Sequence, residues 1–182
     1  MDAWIDIRRK ARGCHQKALA ETAGDRSAAA LIKAALDIDD LELRRIDLGP
    51  GTLGSLDRSA RLISVAKNLA QATEHLVVAH EIGHFTLHDD PSNEVTGLQQ
   101  GLGGDPVDSG AGKVEGYAPR ERKEVQADVF AGEFLCPADW LREAYLREGK
   151  RPQELAVVLG VPITLVLNQM ARALLLPQVS SP

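Results

Sequence analysis

Cysteine is scarce in this chain. Cys14 and Cys136 are the only two in 182 residues, they lie far apart, and neither belongs to a CxxC pair. A disulfide framework and a thiolate zinc ribbon are therefore not indicated, and both cysteines are expected as free thiols. Long apolar runs are missing too: no stretch approaches the roughly 18 uninterrupted apolar residues of a membrane span. The opening MDAWIDIRRKARG has no apolar segment of the kind a secretory signal needs, so a cytoplasmic protein is expected. An excess of positive charge is absent as well, with 26 acidic residues against 21 basic ones and a formal net charge of −5. General attraction to a polyanion is thus not favoured. Internal repeats and low-complexity tracts are also lacking.

What remains is an ordinary globular balance, 44% hydrophobic and 26% charged residues. A chain of this length fits one domain, or one domain with a small appendage, and can bury a real core. Apolar residues recur at helical spacing through Ile7, Ala11, Cys14 and Ala18, and Gly24-Asp25 divides that region into two helices. LELRRIDL (41–48) alternates, GPGTLG reads as a turn, RLISVA (61–66) is rich in β-formers, and Asp57-Arg58 suits a turn between strands, which together predict a small antiparallel sheet. TEHLVVAHEIGHFTLH has no proline and reads as a buried helix capped by Thr73. Residues 89–120 carry seven glycines and three prolines, which predicts a long loop, of a kind that often serves as a lid or binding segment. Beyond Pro119, RERKEVQADVFAGEFLCP has an apolar helical stripe in Val125, Val129, Phe130 and Phe134. DWLREAYLRE reads as a surface helix, and the last apolar stretch as two helices around Gly160-Val161-Pro162. The closing PQVSSP is expected to fray.

His80-Glu81-Ile82-Gly83-His84 is an HExxH motif. Residues i and i+4 differ by about 40° around a helix and one turn in height, so both imidazoles can reach a single metal. Zinc held by three protein ligands keeps a position for water and lowers its pKa toward about 7, which lets Glu81 act as general base and then as general acid. The motif alone is common by chance, so a third ligand is required. His88 at i+8 sits roughly 80° from His80 on a continuous helix and reads as structural; Asp89 and Asp90 share its problem of reach. Glu124, on the downstream helix, is the preferred ligand. Asp128 falls four residues later on the same face and can orient a zinc-bound histidine through its second ring nitrogen. The plainer alternative is an exposed, mildly repulsive carboxylate pair.

LISVAKNLAQATEHLVVAHEIGHFTLHDD followed by ERKEVQADVFAGEFLCP resembles the ImmA/IrrE family of bacterial metallopeptidases, whose members pair an AHExGHxxLH helix with an ExxA[ND]xFAxxxLxP helix. The likeness spans about residues 41–140. It implies that His80, His84 and Glu124 are zinc ligands and Glu81 the catalytic residue. It also implies a substrate class, helix-turn-helix transcriptional repressors. Two features depart from the pattern, the long GGDPVDSGAGKVEGY segment and Cys136 at a position often apolar.

Other residues admit sharper and plainer readings. Tyr117 could donate to an oxyanion, against the preferred, plainer reading of a loop tyrosine, buried or exposed. His75 lies five residues before His80, on another face, and suits a surface or capping role. His15 has no partner evident in sequence. Cys136 could ligate zinc as a thiolate, against the plainer reading of a buried apolar thiol. In the C-terminal region Ala156, Gly160 and Val166 have helix-turn-helix-like spacing, yet Arg172 is the only basic residue between Pro152 and Pro182. Direct DNA binding is therefore not expected, and packing or substrate docking is. The resulting expectation is an α+β fold. Residues 1–148 would form a zinc metallopeptidase domain and 149–182 a helical C-terminal unit. The activity would be zinc-dependent hydrolysis of a peptide bond in a protein partner, with a non-enzymatic metal-binding regulator or antitoxin-like module as the alternative.

Overall fold

The computed structural model describes residues 3–89, 94–97 and 119–175. Its first two helices, α1 (Ala3–Glu21) and α2 (Ala28–Ile38), break where Gly24 takes a left-handed φ of 90°. Ser27 starts α2 by accepting a hydrogen bond from the Ala30 amide at 3.3 Å. His15 does have partners: its Nδ1 lies 2.7 Å from the Phe134 carbonyl and its Nε2 3.0 Å from Arg26. Donation from Nδ1 leaves Nε2 to accept from the guanidinium. Burial lowers the pKa of His15 and keeps it neutral.

The strands β1 (Glu42–Ile46), β2 (Thr52–Asp57), β3 (Leu62–Ala66) and β4 (Glu94–Gly97) form one sheet in the order β1-β3-β2-β4. The fold is α+β as expected, but the sheet is mixed, not antiparallel, because β1 and β3 run parallel while β2 is antiparallel to both β3 and β4. The physical reason lies in β3. Ile63, Ser64 and Val65 are buried, which requires cover on both faces and a neighbour on each side, so β3 takes the centre. The charged β1, with Glu42, Arg44 and Arg45 exposed, is suited to an edge. Asp57 ends β2, and its Oδ1 accepts from Ser59 Oγ at 2.7 Å and the Ala60 amide at 3.0 Å, stabilising the turn into β3.

Two further boundaries differ from the sequence reading. GPGTLG is only partly a turn, since β2 already begins at Thr52 and Gly54 lies within it. The segment 89–120 is not wholly irregular: it contains β4, which finds its hydrogen-bonding partner in β2 despite its glycine-rich surroundings.

α3 (Gln71–Leu87) carries the HExxH sequence. Its N-cap is Ala70, with no side-chain capping bond, so Thr73 sits inside the first turn. α4 (Pro119–Leu135) opens with proline, whose missing N–H costs nothing in the first turn. α5 (Ala138–Leu146), α6 (Pro152–Leu159) and α7 (Ile163–Leu175) follow, with Gly160 in the left-handed conformation (φ 68°) closing α6. Phe130 and Phe134 of α4 are fully buried and stack with ring centroids 6.0 Å apart. Burial of each contributes about 1.5–3 kcal/mol relative to exposure. Leu155, Leu159, Leu165 and Val166 of α6 and α7 belong to the same buried cluster as α3 and α4.

Candidate metal centre

α3 is enclosed on nearly every side, with every residue from His75 to His84 buried. Such enclosure explains why its sequence has no polar stripe facing solvent, its polar residues His75, His80, Glu81 and His84 being buried with the apolar ones. Three contacts fix its position. At its C-terminal end Arg58 donates to the His84 carbonyl at 2.7 Å and the Phe85 carbonyl at 2.9 Å, placing a cation where the helix dipole is negative. Toward α4, Gly83 allows close approach, because a Cβ there would stand 3.2 Å from the Ala127 Cα and 3.1 Å from Phe130 Cδ1. Nearer its start, His75 Nδ1 lies 2.7 Å from the carbonyl of Gly160, the residue that closes α6. His75 is thus buried, and it caps a helix other than its own; the surface half of its expected role does not hold.

With α4 drawn close, His80, His84 and Glu124 each bring one ligand atom into a cluster within 4.8 Å, a group that could hold a metal ion. The two Nε2 atoms are 2.9 Å apart, and Glu124 Oε2 stands 3.3 Å from that of His80 and 3.6 Å from that of His84. Ligands about 2.0–2.1 Å from a tetrahedral ion lie roughly 3.3 Å from one another, so these spacings bracket that edge. Two imidazoles and a carboxylate also make a three-ligand set with a position left open. Asp128 Oδ1 lies 2.8 Å from His80 Nδ1. A carboxylate there accepts the Nδ1 proton and leaves Nε2 facing the cluster. Glu124 and Asp128 keep side-chain exposures of 23% and 19%, against 2% and 0% for His80 and His84, so they are not the exposed pair of the plainer reading. The accessible side of the cluster, among the described residues, is the carboxylate side.

The electrostatics ask for a cation. Burial alone would lower the pKa of His80, but hydrogen bonds to Asp128 and Glu124 and the charge of Glu81 overcome it and raise the pKa to about 10. Burial would raise the pKa of Glu124, yet its bonds to His80 and His84 hold the carboxyl well below its usual range. A proton on His80 or a metal ion between the three ligands meets the same demand. Glu81 is completely buried on the adjoining face of α3.

The remaining candidates fall outside this cluster. His88 leaves the helix as its C-cap, with its ring centroid 5.4 Å from that of His84 and its Nε2 3.4 Å from the Lys123 carbonyl. Asp89 is exposed. Cys136 is fully buried, and burial pushes its thiol pKa up, as an apolar thiol requires. Asp90, Tyr117 and most of the glycine-rich stretch lie outside the described residues.

Sequence reasoning missed Glu133, a carboxylate buried at 0% exposure on the far side of α4 from Glu124. It accepts from Arg12 of α1 at 2.6 Å and lies 3.4 Å from both Arg172 and Gln169 of α7. Nine residues separate Glu133 from Glu124, about half a turn in helical phase, so α4 presents the candidate ligand Glu124 on one face and a buried ion pair on the other. That spacing was the available signal. No family model and no curated protein matches the chain.

Proposed function

We propose that this chain is a zinc-dependent endopeptidase in which Glu81 moves the proton and His80, His84 and Glu124 hold the metal. The convergence of those three side chains within 4.8 Å, beside a buried glutamate, is the observation that carries the reading. The donor set favours zinc over magnesium or calcium, which prefer oxygen ligands. When bound, zinc supplies Lewis acidity toward a carbonyl and lowers the pKa of water toward about 7.

The chain's own residues have separate tasks. Asp128 holds the Nδ1 proton of His80, which fixes the ring orientation and keeps Nε2 directed at the cluster. Glu124 adds one negative charge beside two neutral imidazoles, which would leave a bound divalent ion with a net positive charge for polarising a carbonyl. Glu81 accepts a proton from the attacking water and delivers it to the departing amine nitrogen, so no net proton is consumed at the carboxylate.

The ImmA/IrrE-like motifs extend the proposal to a substrate class, a helix-turn-helix repressor encoded near this gene. The single basic residue between Pro152 and Pro182 supports docking of a protein there over direct DNA binding. The test is co-expression with neighbouring repressors, followed by intact-mass analysis of both chains. One cut by the wild type, absent with Glu81→Gln, is expected. Tight binding of an uncut repressor by both forms would instead favour a non-enzymatic regulator.

A further inference from the structure

We propose that Gly54 is a positioning residue for Glu81: β2 presents a backbone without a side chain directly behind the carboxylate, and that surface sets the rotamer of the base. The inference rests on the peptidase reading only for its effect on cleavage; the contact itself can be tested without any substrate.

The geometry is specific. Val77 and Glu81 are four residues apart and share the face of α3 that lies on the sheet, whereas His80 and His84 face α4. A Cβ on Gly54 would stand 2.6 Å from Val77 Cγ1 and 2.7 Å from Glu81 Oε1, closer than van der Waals contact permits. The Gly54 hydrogen that takes the place of a Cβ therefore points at the carboxylate. The strand is shaped for this approach. Its register against β4 shifts between Thr52 and Gly54, where one extra residue is accommodated, and Leu53 and Gly54 are both buried in succession. A bulge of this kind re-aims a strand locally. Here it brings the main chain of β2 against the helix at the turn that carries the base. A glutamate has three side-chain torsions. Because Gly54 has no side chain, Oε1 can lie directly against the main chain of β2, and that close wall restricts the other rotamers, which leaves the carboxylate held for proton transfer.

The steric conflict at Gly54 has two parts, and Val77→Ala removes one of them. The test compares Gly54→Ala in the Val77→Ala background with the same change in the Val77→Ala/Glu81→Ala background, by thermal unfolding, zinc content and steady-state cleavage of the repressor substrate. The expected result is non-additivity: Gly54→Ala lowers Tm when residue 81 is glutamate and has little effect when it is alanine. Gly54→Ala/Val77→Ala should retain its zinc, because the ligands lie on the other face. Its kcat should fall on the order of 100-fold relative to Val77→Ala, with KM within about twofold, as expected for a misplaced reacting group. An equal Tm loss in both backgrounds, or unchanged kcat, overturns the proposal. If Gly54→Ala/Val77→Ala does not fold, recovery of a folded, zinc-binding protein on adding Glu81→Ala supports it, and continued failure to fold overturns it. Absence of cleavage by the Val77→Ala parent and the wild type alike would count against the peptidase reading, while the Tm comparison would still decide the contact.

Discussion

The 2.8 Å contact between His80 Nδ1 and Asp128 Oδ1 joins the HExxH helix to α4 and determines which ring nitrogen His80 offers to the cluster. Its loss should therefore be felt in metal affinity before it is felt in folding. Asp128→Asn is expected to weaken zinc binding by about 10–100-fold with the three ligands still present. Competition with a chromogenic chelator measures this, and wild-type affinity in the variant would remove Asp128 from the account.

The charge balance predicts a pH dependence whose sign follows from His80. In the metal-free protein its pKa is raised from 6.5 to about 10. Stability from the protonated ring is then fully present below the unfolded value of 6.5 and lost as pH rises toward about 10. Metal-free protein should lose stability across that window, and His80→Ala should abolish the slope. Zinc binding displaces the same proton, so calorimetry between those limits, in buffers of different ionisation enthalpy, should show proton release on binding. No proton release would contradict the electrostatic reading.

Close helix approach at Gly83 predicts that Gly83→Val disrupts the centre without touching a ligand. Overpacking there should cost about 1–3 kcal/mol, since the Ala127 backbone must retreat. Chemical denaturation reads the stability, and a parallel loss of zinc affinity would show that Glu124 moved with α4.

Glu133 gives a contrasting case. Removing it by Glu133→Ala takes away the buried acceptor shared by Arg12, Arg172 and Gln169, although Arg12 keeps Asp139 at 3.0 Å and Gln169 keeps the Cys136 carbonyl at 2.9 Å, so the cost should be about 1–3 kcal/mol. Because Glu133 lies on the opposite face of α4 from Glu124, the folded fraction of the variant should still bind zinc with unchanged stoichiometry. Zinc loss in a folded variant would show that the two faces are coupled.

The legible part of this protein is the part whose signal is local. Helical spacing places His80 and His84 together, and the EVQAD sequence presents Glu124 and Asp128 on one face, because a regular helix converts sequence separation into direction. Gly54 was not legible. GPGTLG has turn composition, and the contact with Glu81 depends on a tertiary approach that no local pattern encodes. Arg58 likewise reads as a turn residue, and its bonds to the carbonyls of His84 and Phe85 span 26 and 27 residues. The parallel pairing of β1 with β3 is hidden for the same reason: strand order is decided by which strand needs burial on both faces, and β3 has that need. β4 is masked by glycine-rich neighbours, whose turn composition says nothing of the pairing that β2 offers.

The proposed zinc site of His80, His84 and Glu124 is tested most directly by native mass spectrometry of the purified chain beside its His80→Ala, His84→Ala, Glu124→Ala and His88→Ala variants. About one zinc per chain is expected in the wild type and in His88→Ala, none in His80→Ala or His84→Ala, and partial occupancy in Glu124→Ala, where both imidazoles of the HExxH helix remain. Undiminished zinc in the first three variants, or an empty site in His88→Ala alone, would contradict it.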